Sequence, residues 1–279
     1  MEVLSKGTRF VHYPTAEAAM SILRNKEVWL RQSSCMNDYM EVQHGLNCVL
    51  SAYNNSDGTF KQALDHVFDG VSDEIEKLFN GWMPHFKTDT YLSCLCEHDE
   101  KEDRFGRLSM WRAYGATTGV ALVVNSAVFL IPSTALKAYA SPVAYLSDKE
   151  FEREFSRVTA AIRANADFLR GQGREALVAN TFHMLRYAAL CTKHPGFAEE
   201  REWRVVYCPT LEGSEHVTKE IKVINGTPQP IYKIPLKDIP QEGLTGVEIP
   251  ALLDRIIIGP TQYSLAMWKA FITSLTPWK

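Results

Sequence analysis

Glu199-Glu200-Arg201-Glu202-Trp203-Arg204-Val205-Val206-Tyr207 is a knot of charge that runs directly into a β-branched, aromatic strand. A pleat of period two sets Glu200, Glu202 and Arg204 on one face and Arg201, Trp203 and Val205 on the other. A strand that crowds two acids and a base on one face is either a solvated sheet edge or the floor of a polar site. The sequence on either side decides what kind of sheet this strand belongs to.

Upstream, residues 9–13 read as a short strand halted by Pro14. Thr15 is placed to cap a helix to about residue 25 that buries Ala19, Ile22 and Leu23. A strand over 28–31 follows. Asn37-Asp38 then caps a helix carrying Met40, Leu46, Val49, Leu50 and Tyr53, and a second amphipathic stretch fills 60–79. Strands are expected over 91–98, 118–124 and 139–146, the last with Pro142 marking an edge or a bulge. Two long helical patterns occupy 149–169 and 175–192. Strands return at 203–208, 217–223, 230–234 and 255–258, before a helix over 264–275. Helices and strands come in runs rather than in alternation, which predicts an α+β fold with a mixed, mainly antiparallel sheet. No linker or repeat divides the chain. A single domain over 1–279 is expected, with helical insertions at about 37–80 and 148–194.

The chain has 279 residues, 46% of them hydrophobic, enough for a core that needs no disulfides. A net charge of -3 advertises no nucleic-acid binding in bulk, although a local basic groove fits within such an average. No stretch approaches the roughly 20 apolar residues of a membrane span, and the first residues lack a signal-peptide pattern. A cytoplasmic protein with reduced cysteines and no membrane partner is expected. Cys94, Cys96 and His98, with Cys191 and His194, offer zinc-ligand chemistry, but no C-x2-C pair exists and 92–96 reads more simply as a core strand. No metal is therefore expected. Fingerprints of Rossmann dehydrogenases, P-loop enzymes, zincins and common serine hydrolases are absent.

Four motifs occur in order: Phe10-Val11-His12-Tyr13-Pro14-Thr15, Asn37-Asp38-x-x-Glu41, Trp111-x-x-Tyr114-x4-Gly119 and Glu200-x-Glu202-Trp203-Arg204. Their succession resembles a bacterial family catalogued as domain of unknown function 2971, from Arg9 to Pro260. Pro14, between Tyr13 and Thr15, departs from that family's His-Tyr-Thr pattern.

The opening, His12 and Thr15 followed by an Ile-Leu helix and an apolar-Leu-Arg strand, is also similar to ADP-ribosyltransferases, most of all to nucleic-acid-modifying toxins of toxin–antitoxin pairs. That resemblance implies an ADP-ribosyltransferase-type sheet with NAD as substrate. Glu202 would stabilise the oxocarbenium-like ribose formed when nicotinamide leaves, Glu200 would take the acceptor's proton, and Arg31 would clamp a phosphate. His12, Tyr13, Thr15 and Asn37 would contact NAD, with Trp111 or Tyr114 stacking on it. By strand alternation His12 and Tyr13 face opposite ways. Arg107, Arg112 and Arg204 would meet the acceptor, a base in single-stranded RNA or DNA, along the basic and aromatic run 101–114. A toxin or anti-phage effector restrained by an antitoxin is the implied setting.

Plainer readings stand beside these. His12 also fits a structural histidine, Trp111 and Tyr114 ordinary helix packing, and Arg31 a surface charge. Asn37-Asp38 also fits an N-cap, and Glu202 with Arg204 an ion pair on an edge. A protein ADP-ribosyltransferase, a non-catalytic binding module, and a metal-dependent nuclease built from Asp38, Glu41, Glu200 and Glu202 are the alternatives.

Overall fold

The computed structural model of the chain describes residues 8–35, 40–115 and 117–276. The expected cap at Asn37-Asp38 and the side chain of Glu41 lie outside the described residues, and so does any NAD contact by Asn37. In chain order the strands are β1 (Arg9–His12), β2 (Glu27–Gln32), β3 (Tyr91–His98), β4 (Val120–Asn125), β5 (Ala138–Pro142), β6 (Ala144–Tyr145), β7 (Thr192–Lys193), β8 (Glu202–Tyr207), β9 (Thr218–Ile224), β10 (Thr227–Pro235) and β11 (Leu253–Ile258).

The chain forms two compact units. The first takes in the described parts of 1–31, 91–140 and 200–279; the second is built from 32–90 and 141–199.

In the first unit nine strands make one mainly antiparallel sheet, in the order β11-β4-β1-β3-β2-β10-β9, with β8 pairing β3 and β5. The α+β reading holds at this level. The helix Ala16–Asn25 starts where Thr15 Oγ1 accepts the Ala18 N–H at 3.3 Å and stops at Lys26, which turns left-handed. Val11, Cys96 and Glu202 stand in register across β1, β3 and β8, on one face of the sheet. Phe10 and His12 alternate to the other face, where the Phe10 and Trp203 rings meet at 4.9 Å. Around that pair Leu95, Val120, Leu122, Leu252 and Phe271 build the larger apolar core. The opposite face carries a smaller cluster of Val11, Tyr13, Met110, Trp111, Ala121 and Val123.

The second unit is helical. The expected 60–79 helix is two, Thr59–Asp65 and Val71–Trp82, because the chain turns left-handed at Gly70 between them. The 149–169 pattern likewise divides into Asp148–Ala164 and Ala166–Gln172. Ser147 and Glu150 close a capping box on the former. The helices Met40–Asn54 and Arg174–Leu190 cross at Gly45, and β6 and β7 add a short parallel pair.

Candidate functional site

The charged stretch folds differently from an uninterrupted pleat. Arg201 has φ +47°, so the chain turns before β8 begins at Glu202, and Glu200 does not continue the face of Glu202. Nor is β8 a solvated edge: it lies between β3 and β5, and Glu202 and Arg204 are only 5% and 1% exposed. Arg204 Nε donates to Glu202 Oε1 at 2.8 Å. Side chains two apart on one strand face thus form a buried, charge-assisted pair beneath the start of the strand.

Arg107 holds that start in place. Its guanidinium donates to the Glu200 carbonyl at 3.0 Å, the Glu97 carbonyl at 2.8 Å and Glu102 Oε1 at 3.1 Å. Burial opposes the charge on Glu102, but the Arg107 guanidinium and the Asp99 N–H outweigh it, and the Glu102 carboxyl is held below its ordinary range. The same carboxylate accepts from Arg201, which also reaches Asp99 at 3.2 Å. Sequence reading passed over Glu97, Asp99 and Glu102. The available signal was Asp99-x-x-Glu102, a capping box that the structure completes around a turn of 3-10 helix.

The helix Leu108–Tyr114 then delivers the aromatic residues. Trp111 is buried, its ring 4.8 Å edge-on from Tyr13 and its Nε1 donating to the Phe105 carbonyl at 2.7 Å. A Cβ on Gly106 (φ +65°) would lie 2.6 Å from the indole, and one on Gly259 2.9 Å. Trp111 is therefore largely enclosed, 6% exposed, and its remaining surface borders a groove that Arg104 and Phe105 also line. Tyr13 accepts the Arg107 backbone N–H at 3.1 Å, and burial pushes its phenol pKa up. Tyr114 is half-buried, and its hydroxyl lies 3.4 Å from Glu200 Oε1. Beside it, Arg112, Arg104 and Phe105 are exposed, the Arg104 guanidinium lying 4.7 Å over the Phe105 ring. Arg104, Phe105, Leu108 and Thr261 line a shallow groove here.

The other predicted residues are placed apart from this group. Thr15 is the exposed helix cap already described. Arg31, on β2, donates through Nε to Gln229 Oε1 at 3.2 Å. His12 is on the face of the sheet opposite Glu202, and its Nδ1 donates to the Cys94 carbonyl at 3.0 Å. Burial, partly offset by that carbonyl, lowers its pKa, so the ring is neutral at pH 7. His12 lines a cavity of about 280 Å³ between the sheet and the segments around 128–140 and 234–253. The structure thus brings Tyr13, Arg107, Tyr114, Glu200, Glu202 and Arg204 to one side of β8 and leaves His12 on the other.

Residues 110–205 match the family described as protein of unknown function, DUF2971. The matched segment takes in Trp111, Tyr114 and the Glu-x-Glu-Trp-Arg run as far as Val205, and it ends short of the His12 strand. No curated protein and no solved structure matches the chain. Among the described residues no helix is long and apolar enough to cross a membrane.

Metal-ligand chemistry gathers elsewhere than the sequence placed it. Cys94, Cys96 and His98 alternate along one face of β3 and, among the described residues, join no group of metal-ligating side chains; His98 Nε2 meets Asp103 at 2.8 Å. In the helical unit His44, Cys48 and Asp148 converge, with Cys48 Sγ donating to Asp148 at 3.4 Å. Burial and the Asp148 side chain push that thiol up to about 12, so Cys48 stays a protonated thiol and donates to Asp148.

Proposed function

We propose that the protein is an NAD-dependent mono-ADP-ribosyltransferase whose working edge is the start of β8. The supporting observation is the meeting of Tyr114 and Glu200 at 3.4 Å, above the buried Glu202–Arg204 pair. Glu200 is the carboxylate of the pair of glutamates with access to solvent; Glu202 is committed to Arg204 and serves as a positioning residue. Tyr114, half-exposed at the same edge, supplies the ring against which nicotinamide stacks. His12 faces away and takes no part.

The chemistry asked of these groups is modest. The bond from ribose C1′ to the nicotinamide nitrogen breaks, its electron pair leaving with nicotinamide, and positive charge builds on the sugar. A fixed carboxylate at that point is worth about 3–4 kcal/mol. An acceptor nitrogen then bonds to C1′ and its proton passes to Glu200. The exposed Arg104, Phe105 and Arg112 favour a base of single-stranded RNA or DNA as the acceptor, since stacking and phosphate contacts both need accessible side chains. Such an activity suits a toxin or anti-phage effector kept in check by an antitoxin.

The test is incubation of the protein with labelled NAD and, separately, single-stranded RNA, single-stranded DNA and cell lysate, alongside Glu200→Gln and Glu202→Gln. Label on one nucleic-acid pool, lost in Glu200→Gln, supports the reading; label on protein moves the acceptor to that class. No label and no nicotinamide release from folded protein would overturn it and leave a non-catalytic binding module.

A further inference from the structure

The cavity beneath the sheet in the first unit has no part in that reaction. Its volume, about 280 Å³, is nearly twice the ~150 Å³ that accommodates a benzene ring in an engineered core. Its wall is aliphatic and aromatic: Leu23, Leu95, Leu122, Phe129, Val205 and Leu252 are typical of it. No Lys, Arg, Asp or Glu lines it, so an ionised occupant would lose its hydration without a counter-charge.

Four polar side chains reach the wall, and two of them are engaged. Ser133 donates to the Glu242 carbonyl at 2.9 Å, and the Tyr139 hydroxyl donates to Glu212 at 3.1 Å. The other two are His12 and Ser93, on adjacent strands and the same face. The Nδ1–H of His12 is fixed on the Cys94 carbonyl, which leaves Nε2 of the neutral ring as a lone-pair acceptor. Among the described residues neither His12 Nε2 nor Ser93 Oγ makes a hydrogen bond. An acceptor of fixed tautomer in an otherwise apolar chamber selects one kind of ligand. A protein that needed only a filled core would close such a space, because each cavity of this kind costs stability.

We propose that this cavity is a binding site for a neutral, mostly apolar small molecule of about two rings that carries one O–H or N–H donor for His12 Nε2, with Ser93 as a secondary partner. The site is distinct from the β8 edge and does not depend on ADP-ribosyl transfer.

The probe is 1-naphthylamine, a neutral two-ring amine whose emission shifts when it leaves water, titrated into the full chain. Competition with 2-naphthol and 2-methylnaphthalene, which share a shape and differ in the donor, reads the role of His12. The expected result is saturable binding of one probe per chain, with 2-naphthol displacing it about tenfold better than 2-methylnaphthalene, the preference an ordinary net hydrogen bond supplies. His12→Leu should keep probe binding and erase the preference; Ala140→Phe, which fills the chamber, should abolish binding. Linear, unsaturable fluorescence, or equal displacement by the two competitors with the wild-type chain, overturns the proposal. Survival of the 2-naphthol preference in His12→Leu does the same. The wild-type competition needs no variant, so a folding failure of Ala140→Phe leaves the outcome decidable.

Discussion

Arg204 Nε donates to Glu202 Oε1 at 2.8 Å, and both side chains are buried in the middle of the sheet. A pair of this kind is strongly asymmetric under mutation. Removing one member takes a charge-assisted partner from a buried charge, at a cost of about 3–5 kcal/mol, whereas removing both takes the two charges out together. Arg204→Leu is therefore expected to destabilise the chain by about that amount in urea unfolding. Glu202→Leu combined with Arg204→Leu should fall short of the sum of the single changes by more than about 1 kcal/mol. Additive losses would mean that the two side chains are held independently.

His12 gives folding a pH dependence whose sign is fixed by its surroundings. Burial lowers its pKa in the folded chain below the usual 6.5 of an exposed histidine. The unfolded chain therefore binds the proton more readily. Stability is unaffected by this group above pH 6.5 and falls as pH drops from there toward the folded pKa. His12→Asn removes the titration. The stability of wild type should fall more steeply than that of the variant in that window, by up to about 1.4 kcal/mol per pH unit. Parallel curves below pH 6.5 would show that the folded histidine titrates normally.

Gly45 and Gly81 should respond in opposite directions to the same substitution. A Cβ at Gly45 would lie 2.1 Å from the Ala189 carbonyl oxygen and 2.9 Å from its carbon, both backbone atoms of the crossing helix. Gly45→Ala must push two helices apart, and a loss of about 1–3 kcal/mol is expected. Around Gly81, late in the helix Val71–Trp82, nothing lies within 4 Å of an added Cβ. Gly81→Ala should stabilise by about 0.4–1 kcal/mol through the unfolded chain. Thermal melts of the two variants against wild type read both signs at once.

Much of this fold was legible because its strands alternate cleanly. Phe10 and His12 against Val11 and Tyr13 could be assigned to opposite faces from period alone, and the helix Ser264–Leu275 falls where the sequence placed it. Helix breaks at Gly70 and Asn165 were missed because apolar spacing continues through them. The site was harder to see for a similar reason. Period two carried Glu200 onto the face of Glu202, but the left-handed turn at Arg201 is imposed by contacts to Asp99 and Glu102, some 100 residues away in sequence. Likewise, nothing local distinguishes Trp111 as a packed ring from a stacking platform; that depends on Gly106, Gly259 and Tyr13 closing around it.

If ADP-ribosyl transfer occurs at the start of β8, cleavage of NAD and delivery to the acceptor should be separable by mutation. Glu200 sits beside the Tyr114 hydroxyl, where charge develops on the ribose in the proposed reaction, so Glu200→Gln should lower nicotinamide release by about 10²–10³-fold. Arg112 and Arg104 are exposed on the neighbouring helix and loop. Arg104→Ala and Arg112→Ala should leave nicotinamide release without acceptor close to wild type while weakening transfer to a single-stranded oligonucleotide. Each loss of a phosphate contact should also flatten the salt dependence of oligonucleotide binding, by about 0.7 in the slope of log affinity against log salt. Nicotinamide release and label transfer measured side by side across a salt series separate the two roles. An unchanged salt slope in both arginine variants would place the acceptor on another surface of the protein.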